Sequence, residues 1–260
     1  MTLHTFARTL CFSGLLAISS GVQAAIINYG DYTGANVKFI GVQESSGTDP
    51  VPLFGTPDVA GNTIDFDPVS FNSFASGAGG VDITDGTLSF KLAALTGSVL
   101  DVLRLQEQGD VTLAGFGGAG TTASIRTNVF INILAVDGVS ITPVNVTHGL
   151  VFSPTGGSYD LATNGGGGPL FNSAWNGLYD FNLTQALIDN HIPFVNGATL
   201  ISVTFDNTLV TTSQAGTSAF IAKKDVQGIT FTVVPEASSV VMMSLAACGL
   251  LFIRTSRRSA

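Results

Sequence analysis

The sequence predicts an all-β protein: an antiparallel, jelly-roll-like β-sandwich with one short helix, followed by a C-terminal transmembrane helix. Three observations carry this prediction. The 31 glycines cut the apolar residues into short runs before most reach helical length. Within those runs apolar and polar residues alternate with period two, the signature of strands with one buried face. Charged residues make up only 11% of the chain, so the Lys/Glu-rich faces of amphipathic helices are missing.

Taken in order, 36–42 alternates, with Val37, Phe39 and Gly41 on one face. Residues 86–95 place Leu88, Phe90 and Leu92 opposite Ser89 and Lys91, and 99–107 continues the pattern less regularly. The longest strand predicted is 122–136, with Ile125, Thr127, Val129, Ile131 and Ile133 in step. Further strands are expected over 139–152, 199–210, 217–222 and 228–234. Asp137-Gly138 reads as a two-residue hairpin turn, and Asp85-Gly86 and Gly109-Asp110 as further turns. Asn182 is expected to cap a helix through Ile188, with Gln185 completing a capping box. About ten strands at this spacing favour a sandwich over a parallel α/β sheet.

The ends are of a different kind. Residues 1–24 read as a secretory signal peptide: Arg8 lies in the leading region, an apolar stretch follows over 10–18, and Ser19-Ser20-Gly21 breaks it. Val22-Gln23-Ala24 supplies small residues before a cleavage site after Ala24, or one residue on after Ala25. The exported domain is then 25–233. At the other end, 237–253 carries no charge, just reaching the roughly 17–25 residues a membrane helix needs. Arg254, Arg257 and Arg258 follow it, a basic cluster that prefers the cytoplasmic side. Both cysteines, Cys11 and Cys248, fall in these end segments, so the exported domain must be held by packing rather than disulfides. That domain keeps six basic residues against seventeen acidic ones, a net charge of −11 that disfavours nucleic acid as a partner.

The motif Val234-Pro235-Glu236, the charge-free run and the basic end occur in the order found in the PEP-CTERM sorting signal of exopolysaccharide-producing Gram-negative bacteria, which segment 234–260 resembles. The second proline of the motif is Ala237 here. The segment Ala219-Phe220-Ile221-Ala222-Lys223-Lys224-Asp225 also looks like one shared by a group of proteins with this tail. The resemblance implies recognition of the tail by an exosortase, a stage in the inner membrane with the domain in the periplasm, and delivery to the cell surface or extracellular matrix.

Chemistry-bearing residues are sparse. His148 and His191 lie on separate segments without metal-ligand spacing, so no metal or cofactor is expected. There is no Gly-x-Ser-x-Gly elbow, and no cysteine in 25–233. The glycine run 165–168 lacks the Gly-Lys-Ser/Thr of a phosphate cradle and reads as a loop. Asp65 and Asp67 share a strand face and Asp82 and Asp85 flank an expected turn; such pairs could serve glycoside hydrolysis or Ca²⁺, or simply bond their own backbone. Trp175, Tyr159 and Tyr179 could stack on sugar rings or fill the core. The leading expectation is a non-enzymatic, structural or interaction protein of the cell surface. The alternative is a carbohydrate-binding sandwich, with Ca²⁺ assisting, that acts on extracellular polysaccharide; a glycosidase ranks third.

Overall fold

The computed structural model describes residues 25–116, 120–163, 168–224 and, for its backbone, 229–234. It shows an antiparallel β-sandwich with one short helix. The strands are β1 (Ala25–Thr33), β2 (Val37–Ser46), β3 (Asp58–Ala60), β4 (Thr63–Phe66), β5 (Asn72–Ser76), β6 (Gly80–Ala94), β7 (Val102–Gly115) and β8 (Thr122–Val136). They continue as β9 (Val139–Gly149), β10 (Val151–Ser153), β11 (Ser158–Asp160) and β12 (Leu170–Asn182). Helix α1 (Leu183–Asp189) precedes β13 (Ala198–Ser213), β14 (Thr217–Lys223) and β15 (Ile229–Val234).

One sheet has the order β1-β2-β6-β13-β8, and the far edge of β8 is shared by β11 and β9. The second runs β10-β12-β7; the far edge of β7 then pairs with β15 along 102–106 and with β14 along 109–115. Strand β5 lies outside β14, and β4 and β3 outside β15. Below they are called the first and second sheets.

Period two decides which residues meet between the sheets. Leu88, Phe90 and Leu92 of β6, Val129, Ile131 and Ile133 of β8, and Ile201, Val203 and Phe205 of β13 are buried. They face Leu103, Leu105, Val111 and Leu113 of β7, Phe181 of β12 and Ile221 of β14. Phe54 sits edge-on to Phe66, Phe71 and Phe205, with centroids at 6.3, 5.0 and 6.4 Å, a favoured aromatic geometry. It is held there by Glu44, a buried carboxylate that accepts from the Leu53 and Phe54 amides at 2.6 and 3.1 Å and from the Tyr29 hydroxyl at 2.7 Å. Burial, followed by the bond to Glu44 and its negative charge, drives the Tyr29 phenol up.

Several expectations change. Gly41 does not join Val37 and Phe39 on the inner face; a register shift between Ile40 and Gln43 sends Val42 inward instead. Gly41 adopts φ +61 there and donates to Asp31 at 2.9 Å, the behaviour of a bulge glycine. Asp85-Gly86 and Gly109-Asp110 are not turns but lie inside β6 and β7. Asp137-Gly138 is the turn predicted, with both residues at positive φ, 51 and 79. The expected strand 139–152 divides at Leu150, with β9 in the first sheet and β10 in the second. Asn182 caps α1 through its side chain, accepting from Gln185 N at 2.7 Å. The reciprocal half of the capping box is missing, because the Gln185 amide turns forward to Asp189 at 2.8 Å. Among the described residues no helix is long and apolar enough to cross a membrane; the span expected over 237–253 lies outside them.

Candidate functional site

Of the residues expected to form a sorting signal, Val234 ends β15 opposite Val102, while Pro235, Glu236, Arg254, Arg257 and Arg258 lie outside the described residues. Ala25 opens β1, and Ala24 lies outside. His148 stacks on Tyr179 with centroids 3.7 Å apart and planes at 13°. His191 follows α1 at φ +56, and its amide and that of Ile192 bond back to Ile188 and Leu187 at 3.0 Å. This is a Schellman cap with histidine where glycine is usual, a structural duty.

The carboxylates are also tied into the fold. Asp65 lies opposite Asp58, whereas Asp67 falls beyond the end of β4 and is exposed. Asp82 accepts from the Phe74 amide at 2.7 Å. Asp85 faces outward on the first sheet and accepts from Thr208 at 2.8 Å. Its diagonal neighbour is Asp206, which pairs with Thr87 in register. Burial, and then the charge of Asp85, push the Asp206 carboxyl upward. Thr87 donates to it at 3.3 Å. Among the described residues no cluster of three His, Cys, Asp or Glu side chains could hold a metal.

Of the two roles open to Trp175 and Tyr159, stacking on sugars or filling the core, the structure shows the second: both are buried. Trp175 packs edge-on to Phe152 at 6.0 Å, and Gly109 leaves room for its ring. Tyr179 is taken up by His148 and by Phe181 at 4.7 Å. Of the expected loop 165–168, only Gly168 is among the described residues.

The exposed aromatic surface is made of phenylalanines instead. Phe74 of β5 pairs with Phe220 of β14, and Phe220 with Thr112 of β7, in one row across the outer face of the second sheet. Beyond Thr112, β12 carries an irregularity between Leu170 and Ser173, where the Asn172 amide donates to the Thr112 hydroxyl at 3.1 Å. Phe171, within that irregularity, is 68% exposed, and Phe74 is 55% exposed. Phe116, just past the end of β7, is 93% exposed. Strand neighbours lie about 4.8 Å apart, so the row from Phe74 to the irregularity of β12 spans roughly 15 Å. At its β5 end a groove of about 220 Å³ opens among Val69, Phe71, Asn72, Phe220 and the paired lysines 223 and 224. Lys224 meets Asp110 at 3.0 Å on the same outer face.

Leaving one phenylalanine in water forgoes roughly 2 kcal/mol of burial. The in-register pair of exposed Phe74 and half-buried Phe220 therefore leaves apolar surface on the outer face of the second sheet. Sequence reading passed over these positions because strand phenylalanines are normally core, and only register tells which face each one takes.

No family model matches the chain, and no curated protein does. Among solved structures it is similar to a carbohydrate-binding module, TmCBM61, determined in complex with β-1,4-galactotriose. The identity is 9%, covering 61% of this chain and 70% of that one, with a TM-score of 0.23. It is similar also to a CBM28 module specific for non-crystalline cellulose, at 12% identity over 56% and 74% of the two chains and a TM-score of 0.24. A third is endoglucanase 3 of Trichoderma harzianum, from family GH12, at 10% identity over 84% and 99% and a TM-score of 0.20.

Proposed function

We propose that the exported domain is a non-catalytic, jelly-roll-like sandwich that binds neutral extracellular polysaccharide on the outer face of its second sheet. The observation that carries this reading is the Phe74–Phe220 row, continued toward exposed Phe171 and flanked by the short polar side chains Thr112, Asn172 and Asn72. Flat apolar faces offer stacking surfaces for the C–H faces of sugar rings, and hydroxyls and amides match the ring hydroxyls between them. The net charge of −11 on the exported domain repels polyanions, which favours a neutral chain as ligand. The reading assigns no Ca²⁺ to this site.

Gel electrophoresis through immobilised neutral polysaccharides tests it. Wild-type protein is expected to be retarded by at least one of them, and Phe74→Ala with Phe220→Ala to weaken retention about tenfold or more, equivalent to ~1.4 kcal/mol or above. Retardation unchanged by the double substitution, or absent on every neutral glycan, would sink the reading.

The tail completes the proposal. Segment 234–260, by its resemblance to the PEP-CTERM signal, hands the protein to an exosortase at the inner membrane and directs the domain to the cell surface or matrix. Peptide mapping of protein from an exosortase-bearing host is expected to show a start at Ala25 or the next residue and an end near Pro235. Recovery of peptides reaching Ala260 would contradict processing.

A further inference from the structure

A buried polar island lies between the two sheets. Glu107 of β7 and Lys223 at the end of β14 are diagonal neighbours, because Lys223 pairs with Gly109, two residues along. Their charged groups are in contact, with side chains only 0% and 1% exposed. From the opposite sheet, Thr127 of β8 and Asn207 of β13 face each other in register and are buried too. The Thr127 hydroxyl oxygen lies 2.6 Å from the second Glu107 oxygen and 2.6 Å from the Asn207 carboxamide oxygen. The Asn207 amide nitrogen is buried with no hydrogen-bond partner. Phe71 and Trp175 wall the island, 5.2 and 5.4 Å from the lysine nitrogen.

We propose that this island is a reaction site, in which Lys223 and Asn207 become joined by an intramolecular amide bond that ties the two sheets together. The starting point is the hydroxyl between two acceptors. A hydroxyl carries one proton and cannot donate both ways. If the Lys223 proton passes to Glu107, the carboxylic acid donates to Thr127 and Thr127 donates to the Asn207 carbonyl, a one-way chain that satisfies each contact. Burial favours that transfer, because an ionised pair held out of water forfeits the hydration of both charges. The same burial holds the Lys223 ammonium well below the ordinary lysine range, against the opposing pull of Glu107.

The transfer leaves a neutral amine with a free lone pair and a carboxamide polarised at its oxygen. The lysine nitrogen adds to the Asn207 Cγ, its long stem supplying the reach. One proton leaves that nitrogen by way of Glu107, one arrives at the amide nitrogen by the same carboxyl, and the C–N bond breaks. Ammonia departs, the new amide carries the remaining N–H, and no oxidant or reductant is consumed. Burial of both charged groups, at 1% and 0% exposure, limits the water that would otherwise compete as nucleophile. An exported domain without cysteine thereby gains a cross-link close to where its last strands lead into the tail.

This inference goes beyond polysaccharide binding and does not depend on it. The test is proteolytic mapping by tandem mass spectrometry of the purified full chain. The expected product is a branched peptide joining the Asn207 and Lys223 segments, lighter than their sum by one ammonia. It should disappear in Lys223→Arg, Asn207→Ala and Glu107→Gln, and unreacted wild-type peptides should be minor. Linear peptides of unchanged mass in the wild type overturn the proposal, and this outcome needs no variant to fold. So does an ammonia loss confined to the Asn207-Thr208 pair as an imide, or an ester at Thr127. An inert island is what a turned-over Asn207 amide would give: it would donate to Thr127, suit an ionised Glu107 and leave the carbonyl unactivated.

Discussion

Gly109 shows how one residue can mislead at short range and be required at long range. A Cβ at this position would lie 1.9 Å from the Ala222 carbonyl oxygen and 2.3 Å from the Trp175 ring. Gly86 has the same duty toward Phe71, whose ring would stand 2.7 Å from an added Cβ. Both glycines follow or precede an aspartate and so imitate turns, yet each admits a close neighbour inside a strand. Gly109→Ala is expected to destabilise the domain by about 3 kcal/mol, at the upper end for overpacking, because backbone rather than a flexible side chain blocks it. Urea unfolding measures this; a midpoint within error of wild type would contradict the close packing. Asp137 is legible in part only. Its turn with Gly138 was readable, but its carboxylate also accepts from the amides of Val195, Asn196 and Gly197 at 2.6, 2.8 and 3.1 Å. Those bonds, the Val195 one foremost, hold its carboxyl below the ordinary range. A carboxyl lowered on folding stabilises above its unfolded pKa and loses that contribution as pH falls through the folded value. Asp137→Asn keeps a residue tolerant of positive φ while removing the charge. It is therefore expected to lower the thermal midpoint by roughly 2–4 °C at pH 7, with the gap closing below about pH 4. A gap that is constant down to pH 2.5 would rule the charge out as its source, ~pH 2.5 lying below the usual carboxylate range.

At the scale of elements, α1 is short and depends on its ends. The Asn182 side chain satisfies one free amide, and Asn182→Ala is expected to cost about 1 kcal/mol. His191 holds the left-handed position of the Schellman cap, where glycine carries no Cβ penalty. His191→Gly should leave stability unchanged or raise it by up to ~1 kcal/mol, and a loss larger than that of Asn182→Ala would show that the imidazole itself matters. Chemical denaturation of both variants distinguishes these outcomes. Strands with a clear period were readable: 122–136 appears with those limits, and Leu88, Phe90 and Leu92 face inward as expected. Strand β12 went unread because Asn172, Ser173, Asn176 and Gly177 look like loop residues. Pairing with β7 along nearly its whole length, not propensity, makes it a strand.

For the whole molecule, charge imbalance is the dominant long-range force. The exposed ion pairs Lys38–Asp31 and Arg104–Asp180 are weak in water and weaken further with salt. The seventeen acidic residues of 25–233 outnumber its six basic ones and repel one another, and that repulsion is screened as well. The second effect should win: raising ionic strength from about 0.01 to about 0.1 M shortens the Debye length from ~30 to ~10 Å, and the thermal midpoint should rise. A falling midpoint would mean that the ion pairs outweigh the imbalance.

The sequence by itself determined the β class, the site of the β8–β9 hairpin, the helix cap and the confinement of cysteine to the end segments. These are local properties, set by period, turn chemistry and composition. Tertiary structure decided that Trp175 and Tyr159 are core while Phe74 and Phe171 are surface, and that Lys223 is buried against Glu107 while Lys224 faces out to Asp110. The reason is register: a strand alternates faces whatever its sequence, and only pairing with particular neighbours fixes which face meets the other sheet.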